Sequence, residues 1–87
     1  MGQIDALLQR LTAKPTPADF RYSSLCRIMA HFGYVESNKG TTSGSRVKFY
    51  NRQTGAAIML HKPHPRDIMS KSAVDDVVKF LKREGHI

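Results

Sequence analysis

An α+β fold, with a three-stranded antiparallel sheet carrying helices on one face, is predicted by three features of the chain. Apolar residues recur at helical spacing near both ends, two stretches of strict alternation flank residues 52–55, and the strand-like segments follow one another without an intervening helix. The order read from the sequence is helix, helix, three strands, helix, with no repeat and no second domain.

Ile4, Leu7, Leu8 and Leu11 fall on one side of a helical wheel and Gln3, Asp5, Gln9 and Arg10 on the rest, which predicts an amphipathic helix over residues 3–12. Four apolar side chains on one helix need a surface to pack against. Lys14-Pro15-Thr16-Pro17 ends it. A second helix is read from Leu25, Ile28, Met29 and Phe32, starting near Tyr22, Ser23 or Ser24 and stopping at Gly33. Residues 34–37 then form a first strand, and the polar stretch 38–45, with two glycines, connects it to the next. Past residue 61, Pro63 and Pro65 exclude regular strand, and Val74, Val77, Val78 and Leu81 mark a final helix. Ser72 is the expected cap of that helix, with Asp75 three residues on as in a capping box, and Gly85 lies beyond its end. Valine is a mediocre helix former, so this helix depends on docking against the sheet.

The strand pair around residues 52–55 is the most informative part of the chain. Val47 and Phe49 on one strand and Ile58 and Leu60 on the other read as the buried set, because successive side chains point to opposite faces. A four-residue loop with Gly55 in the left-handed conformation at its last position sets Val47 opposite Leu60 and Phe49 opposite Ile58. Arg46 then stands opposite His61, and Lys48 opposite Met59. A slip of one residue would expose all four apolar side chains. The open face is therefore expected to carry Arg46, Lys48, Tyr50 and His61.

Fourteen Lys and Arg against seven Asp and Glu give a net charge of +7, which favours a polyanionic partner, with nucleic acid the first candidate. A basic charge also serves solubility alone. Eighty-seven residues support one modest core and no enclosed cavity, so a site is expected on the surface or at a partner. The lone Cys26 cannot form an intramolecular disulfide and reads as a small packed hydrophobe in a reducing compartment. No apolar run approaches membrane-spanning length and the N-terminus lacks a signal peptide's pattern, so a cytoplasmic protein without membrane contact is expected. Tryptophan is absent and aromatic residues are few, which favours recognition of a nucleic-acid backbone over stacking on bases.

Gly33-Tyr34-Val35, the pair Gly44-Ser45 opening the second strand, His64-Pro65 after the third, and a terminal helix closing at Gly85 occur in an order and spacing that resembles HicA-family toxins. The likeness covers about residues 19–87, a HicA-like domain, and leaves residues 1–18 as an added helix and linker. It implies a double-stranded-RNA-binding-domain-like fold, cleavage of mRNA without a required metal, and neutralisation by a HicB-type antitoxin in a type II toxin–antitoxin system. One departure matters. The family usually reads Gly-Ser-His, with that histidine catalytic, whereas this chain reads Gly44-Ser45-Arg46. His64 matches a histidine that the family often carries before the last helix, where a structural role is equally familiar.

Metal-free RNA cleavage by the neighbouring 2′-hydroxyl needs a proton acceptor, a proton donor and positive charge on the phosphorane. Arg46 stays protonated and so cannot act as a base, but it can hold a phosphate through two parallel hydrogen bonds. His61, opposite Arg46, is the first candidate for proton transfer and His64 the second, each weighed against a structural imidazole before a proline turn. Lys39, Gly44, Ser45, Arg46, Lys48, Lys62 and Arg66 are the candidate RNA contacts. The segment 39–45 can offer backbone N–H groups and hydroxyls to a phosphate, or serve as a plain connector. His31 and His86 read as structural or incidental. No His or Cys joins Asp75 and Asp76 at metal-ligand spacing, and neither a metal nor another cofactor is expected. Three readings follow: a toxin-type ribonuclease, an RNA-binding module without catalysis, and a basic interaction protein that meets an acidic partner.

Overall fold

The computed structural model describes residues 2–37, 46–63 and 66–87. Its elements run α1 (Gly2–Leu11), α2 (Tyr22–His31), β1 (Tyr34–Ser37), β2 (Arg46–Asn51), β3 (Ala57–His61) and α3 (Lys71–Arg83). The connector at 38–45 and the pair His64-Pro65 lie outside the described residues. The strands form one antiparallel sheet in the order β1-β2-β3. The α+β architecture with an open three-stranded sheet and three helices is as predicted.

The hairpin register is the predicted one, residue by residue: Arg46 with His61, Val47 with Leu60, Lys48 with Met59 and Phe49 with Ile58. The turn shows why. Gly55, at φ +78°, donates its N–H to the Asn51 carbonyl at 2.8 Å, and the Asn51 N–H donates to the Ala56 carbonyl at 2.9 Å. A side chain at position 55 would resist that left-handed backbone. Among the described residues Asn51 is the buried polar residue of the core, 5% exposed, and both the oxygen and the nitrogen of its carboxamide are hydrogen-bonded. Its oxygen accepts from the N–H groups of Gln53 (2.8 Å) and Thr54 (3.2 Å), while its nitrogen donates to the Phe32 carbonyl at 3.2 Å. One side chain thus shapes the β2–β3 turn and ties it to the end of α2, where Gly33 turns the chain at φ +91°.

Alternation places Val47, Phe49 and Leu60 under the sheet. There they join Leu25, Ile28 and Met29 of α2 and Val74, Val77 and Leu81 of α3 in one buried cluster. All three helices contribute to that side. Leu11 of α1 is buried in the same cluster, with Leu7 and Leu8 packed against it, and Arg27 donates to the side-chain oxygen of Gln3 across α1 and α2. The first helix therefore docks on its own domain, which the sequence left open.

Helix termini depart from the local reading. α3 is capped by Ser70, whose hydroxyl oxygen accepts from the Ala73 N–H at 3.1 Å, not by Ser72, which sits inside the first turn. Asp75 instead pairs with Lys79 at 3.3 Å. The far end closes with the Gly85 N–H on the Lys82 carbonyl (3.1 Å) and the His86 N–H on the Leu81 carbonyl (2.9 Å), a Schellman ending. None of the serines caps α2. Its first turn is held from a distance by Asp67: the Tyr22 N–H donates to the Asp67 carbonyl (3.1 Å), and the Ser23 N–H and hydroxyl donate to its carboxylate (3.3 and 2.9 Å).

Two tyrosines tie helices to β1 and to the tail. The Tyr22 hydroxyl donates to Glu36 at 2.7 Å, and the Tyr34 hydroxyl meets His86 Nε2 at 3.0 Å, with the His86 ring stacked on Phe32 at 4.7 Å. His86 is thus structural. Burial, then the Glu36 hydrogen bond, pushes the Tyr22 phenol far above its ordinary value of 10.0; burial, then Glu84, raises Tyr34. The Cys26 thiol, also near Glu36, is pushed up by burial as well.

Asn51→Ala removes an acceptor of two turn N–H groups and the donor to a half-buried carbonyl. The expected cost is about 2–4 kcal/mol, read as a lower urea midpoint with unchanged m-value; Asn51→Asp, which keeps the acceptor alone, falls between. A tyrosine that ionises less readily when folded contributes fully below about pH 10 and loses that contribution as pH rises above it. Stability should therefore fall above pH 10, by up to roughly 1.4 kcal/mol per pH unit for each such tyrosine. Urea unfolding of Tyr22→Phe across this range should show a flatter decline; an identical decline would remove Tyr22 as its source.

Candidate nucleic-acid interface

The face of the sheet away from the helices is built by the same alternation that builds the core. Arg46 and Lys48 of β2, Met59 and His61 of β3 and Val35 of β1 are exposed on it, and Tyr50 is half-buried between Val35 and Ala57. Met59 is 58% exposed and Val35 39%, so no helix covers them.

Antiparallel strands alternate hydrogen-bonded with non-hydrogen-bonded pairs, and the bond from Asn51 to Ala56 fixes which are which. Counting back by twos, 49/58 and 47/60 are hydrogen-bonded pairs, and Arg46/His61 and Lys48/Met59 are the other kind. In such pairs the Cα atoms stand about 4.5 Å apart and the side chains are closest. Arg46 and His61 are therefore nearest cross-strand neighbours, with Lys48 on the adjacent diagonal. Arg46, Met59, Leu60 and His61 together line a shallow depression of about 270 Å³.

Charge on this face is uncompensated. Among the described residues no carboxylate lies within ion-pair distance of Arg46, Lys48, His61, Lys62 or Arg66. A phosphate entering the depression would meet a permanent guanidinium and an imidazole without displacing a protein counter-ion.

The other predicted contacts divide. Lys62 lies one residue beyond His61 and turns the other way, its Nζ 5.9 Å from the centre of the Tyr22 ring. Arg66 and Lys62 line a larger open groove of about 650 Å³ that runs from His61 to the start of α3 at Ser70 and Ser72. These two cations flank the depression around the end of β3 and do not share the face of Arg46. Lys39, Gly44, Ser45 and His64 lie outside the described residues. Sequence reasoning did not single out Asn51, which holds the register that brings Arg46 to His61; its position just before the 52–55 turn was the available signal. It also missed the free edge of β3.

Among the described residues no three His, Cys, Asp or Glu side chains gather in a way that would hold a metal ion. Nor is any helix there long and apolar enough to cross a membrane. Comparison with protein-family models, with curated proteins and with solved structures returned no match.

Proposed function

We propose that this chain is the toxin of a type II toxin–antitoxin pair, a metal-independent endoribonuclease that cuts cytoplasmic mRNA and is neutralised by a HicB-type antitoxin. The observation that supports it is the pairing of Arg46 with His61 on the uncovered, uncompensated face of the sheet. In this reading residues 19–87 form a double-stranded-RNA-binding-like domain, and α1 with its linker is an addition packed onto it.

The chemistry is a transesterification. The ribose 2′-oxygen attacks the adjacent phosphorus and the bond from phosphorus to the 5′-oxygen breaks, leaving a cyclic 2′,3′-phosphate and a free 5′-hydroxyl. His61 takes the 2′-hydroxyl proton, or gives one to the departing oxygen, and the other proton exchanges with water. Arg46 stabilises the negative charge that builds on the phosphorane oxygens. Lys48 neutralises a neighbouring phosphate.

A second reading, RNA binding without cleavage, is favoured by Arg46 itself, a permanent cation where the resembled family carries its catalytic histidine. Purified protein incubated in EDTA with single-stranded and structured RNA separates the two. Cleavage is expected, falling about 10²–10⁴-fold in His61→Ala and about 10²-fold in Arg46→Ala, with Arg46→His more active than the native chain. Binding without cleavage would favour the second reading, and cleavage untouched by either alanine would discard the site. For RNA affinity plotted against salt on logarithmic axes, Lys48→Ala should reduce the slope by about 0.7, the share of one phosphate contact to a single strand; an unchanged slope would remove Lys48 from the interface.

A further inference from the structure

β3 is the outer strand of the sheet, and its unused side is an organised surface. Since Phe49/Ile58 and Val47/Leu60 are the hydrogen-bonded pairs of the hairpin, Ala57, Met59 and His61 direct their N–H and C=O groups away from β2. Among the described residues none of these groups has a main-chain partner, and all three residues are exposed. An edge of this kind is a template for another strand.

The space beside it is shaped to receive one. The groove of about 650 Å³ passes along Met59, Leu60 and His61, and a second of about 510 Å³ passes along Ala57, Ile58 and Met59. They share Met59 and Asp76, and so adjoin as a trough along the edge of β3 beside α3. Lys62, Arg66, Lys79 and Arg83 line it against Asp19 and Asp76. Asp19 is already drawn to Arg10 at 3.4 Å, Lys79 to Asp75 at 3.3 Å and Arg83 to Glu84 at 3.4 Å, which leaves Lys62 and Arg66 against Asp76 and the balance positive.

We infer that the β3 edge docks an extended acidic segment of another protein, which adds a fourth strand through the main-chain groups of Ala57, Met59 and His61 and sets its carboxylates against Lys62 and Arg66. A second copy of the chain is the poorer occupant, because antiparallel pairing of β3 with itself would bring the same cations together on a molecule that already carries +7. Main-chain bonds supply the affinity and alternate side chains the selectivity. The inference does not rest on the RNA reading: it uses the main chain at His61 and leaves the imidazole on the open face.

The test is amide hydrogen exchange by NMR on the full chain at low salt, with an end-capped seven-residue peptide alternating glutamate and valine as the probe. At millimolar peptide the amides of Ala57, Met59 and His61 should slow by roughly tenfold or more, while those of Ile58 and Leu60, already bonded to β2, change little. A peptide of the same sequence N-methylated at alternate positions should give no protection. Met59→Pro removes an outward N–H without touching the β2 ladder and should abolish it too. Absence of protection at these three amides, or equal protection by the N-methylated peptide, would overturn the inference, as would sedimentation showing the edge filled by a second copy. RNA cleavage is read separately, so either proposal can fail alone.

Discussion

The carboxamide of Asn51 is the constraint on which the rest of the molecule turns. Three hydrogen bonds from one buried side chain hold the 52–55 turn in its conformation and fasten it to the last turn of α2. A hairpin's register is set by its turn, and side chains alternate with a period of two. Fixing the turn therefore decides which residues meet water. In the observed register Val47, Phe49 and Leu60 are buried and Arg46, Lys48 and His61 are outside. Shifted by one, three cationic or ionisable groups would enter the core, at a cost far above the worth of any single interaction that holds the turn.

A chain this small has one core, and the helices gather it on a single side of the sheet. That arrangement is what leaves the opposite face free to be polar. It is closed by contacts distant in sequence: Asp67 caps α2 from 44 residues away, the Met69 N–H donates to the Phe20 carbonyl at 2.8 Å, and Arg21 pairs with Ile68 in a single bridge. Residues 67–69 are thereby pinned beside the start of α2. Lys62 and Arg66 are consequently held near the edge of the sheet, beside the trough, and away from the face that carries Arg46.

The hairpin was legible because its signal is local: alternation, a glycine at the end of a four-residue loop, and apolar residues that match across it. The helices were legible from the spacing of Leu7, Leu11, Leu25, Ile28, Met29, Val74, Val77 and Leu81. Caps were not. Ser70 and Ser72 are equally good capping residues, and only the extended backbone at Ser70 (φ −67°, ψ 155°) decides between them. Asp75 at capping-box spacing misled, since its carboxylate turns to Lys79 one helical turn on. The Asp67 cap has no local trace, because it depends on how two distant segments are packed. Lys62 was grouped with Arg46 by proximity in sequence. The alternation that placed His61 on the open face would by itself have sent the next residue to the other side.

The open face and the β3 edge are two surfaces of different chemistry that meet at one residue. The face offers side chains: a guanidinium, an ammonium and an imidazole with no carboxylate among them, suited to phosphates spaced along a strand. The edge offers main chain, which ignores the identity of a partner's bases or side chains but demands an extended peptide. His61 contributes its imidazole to the first and its peptide groups to the second. A strand docked on the edge would hold the His61 backbone rigid and set new side chains beside the ring, while leaving Arg46 untouched one strand away. Occupation of the edge would therefore act on proton transfer at His61 more than on phosphate binding at Arg46, because the first depends on where one ring points and the second on a charge that no neighbour removes.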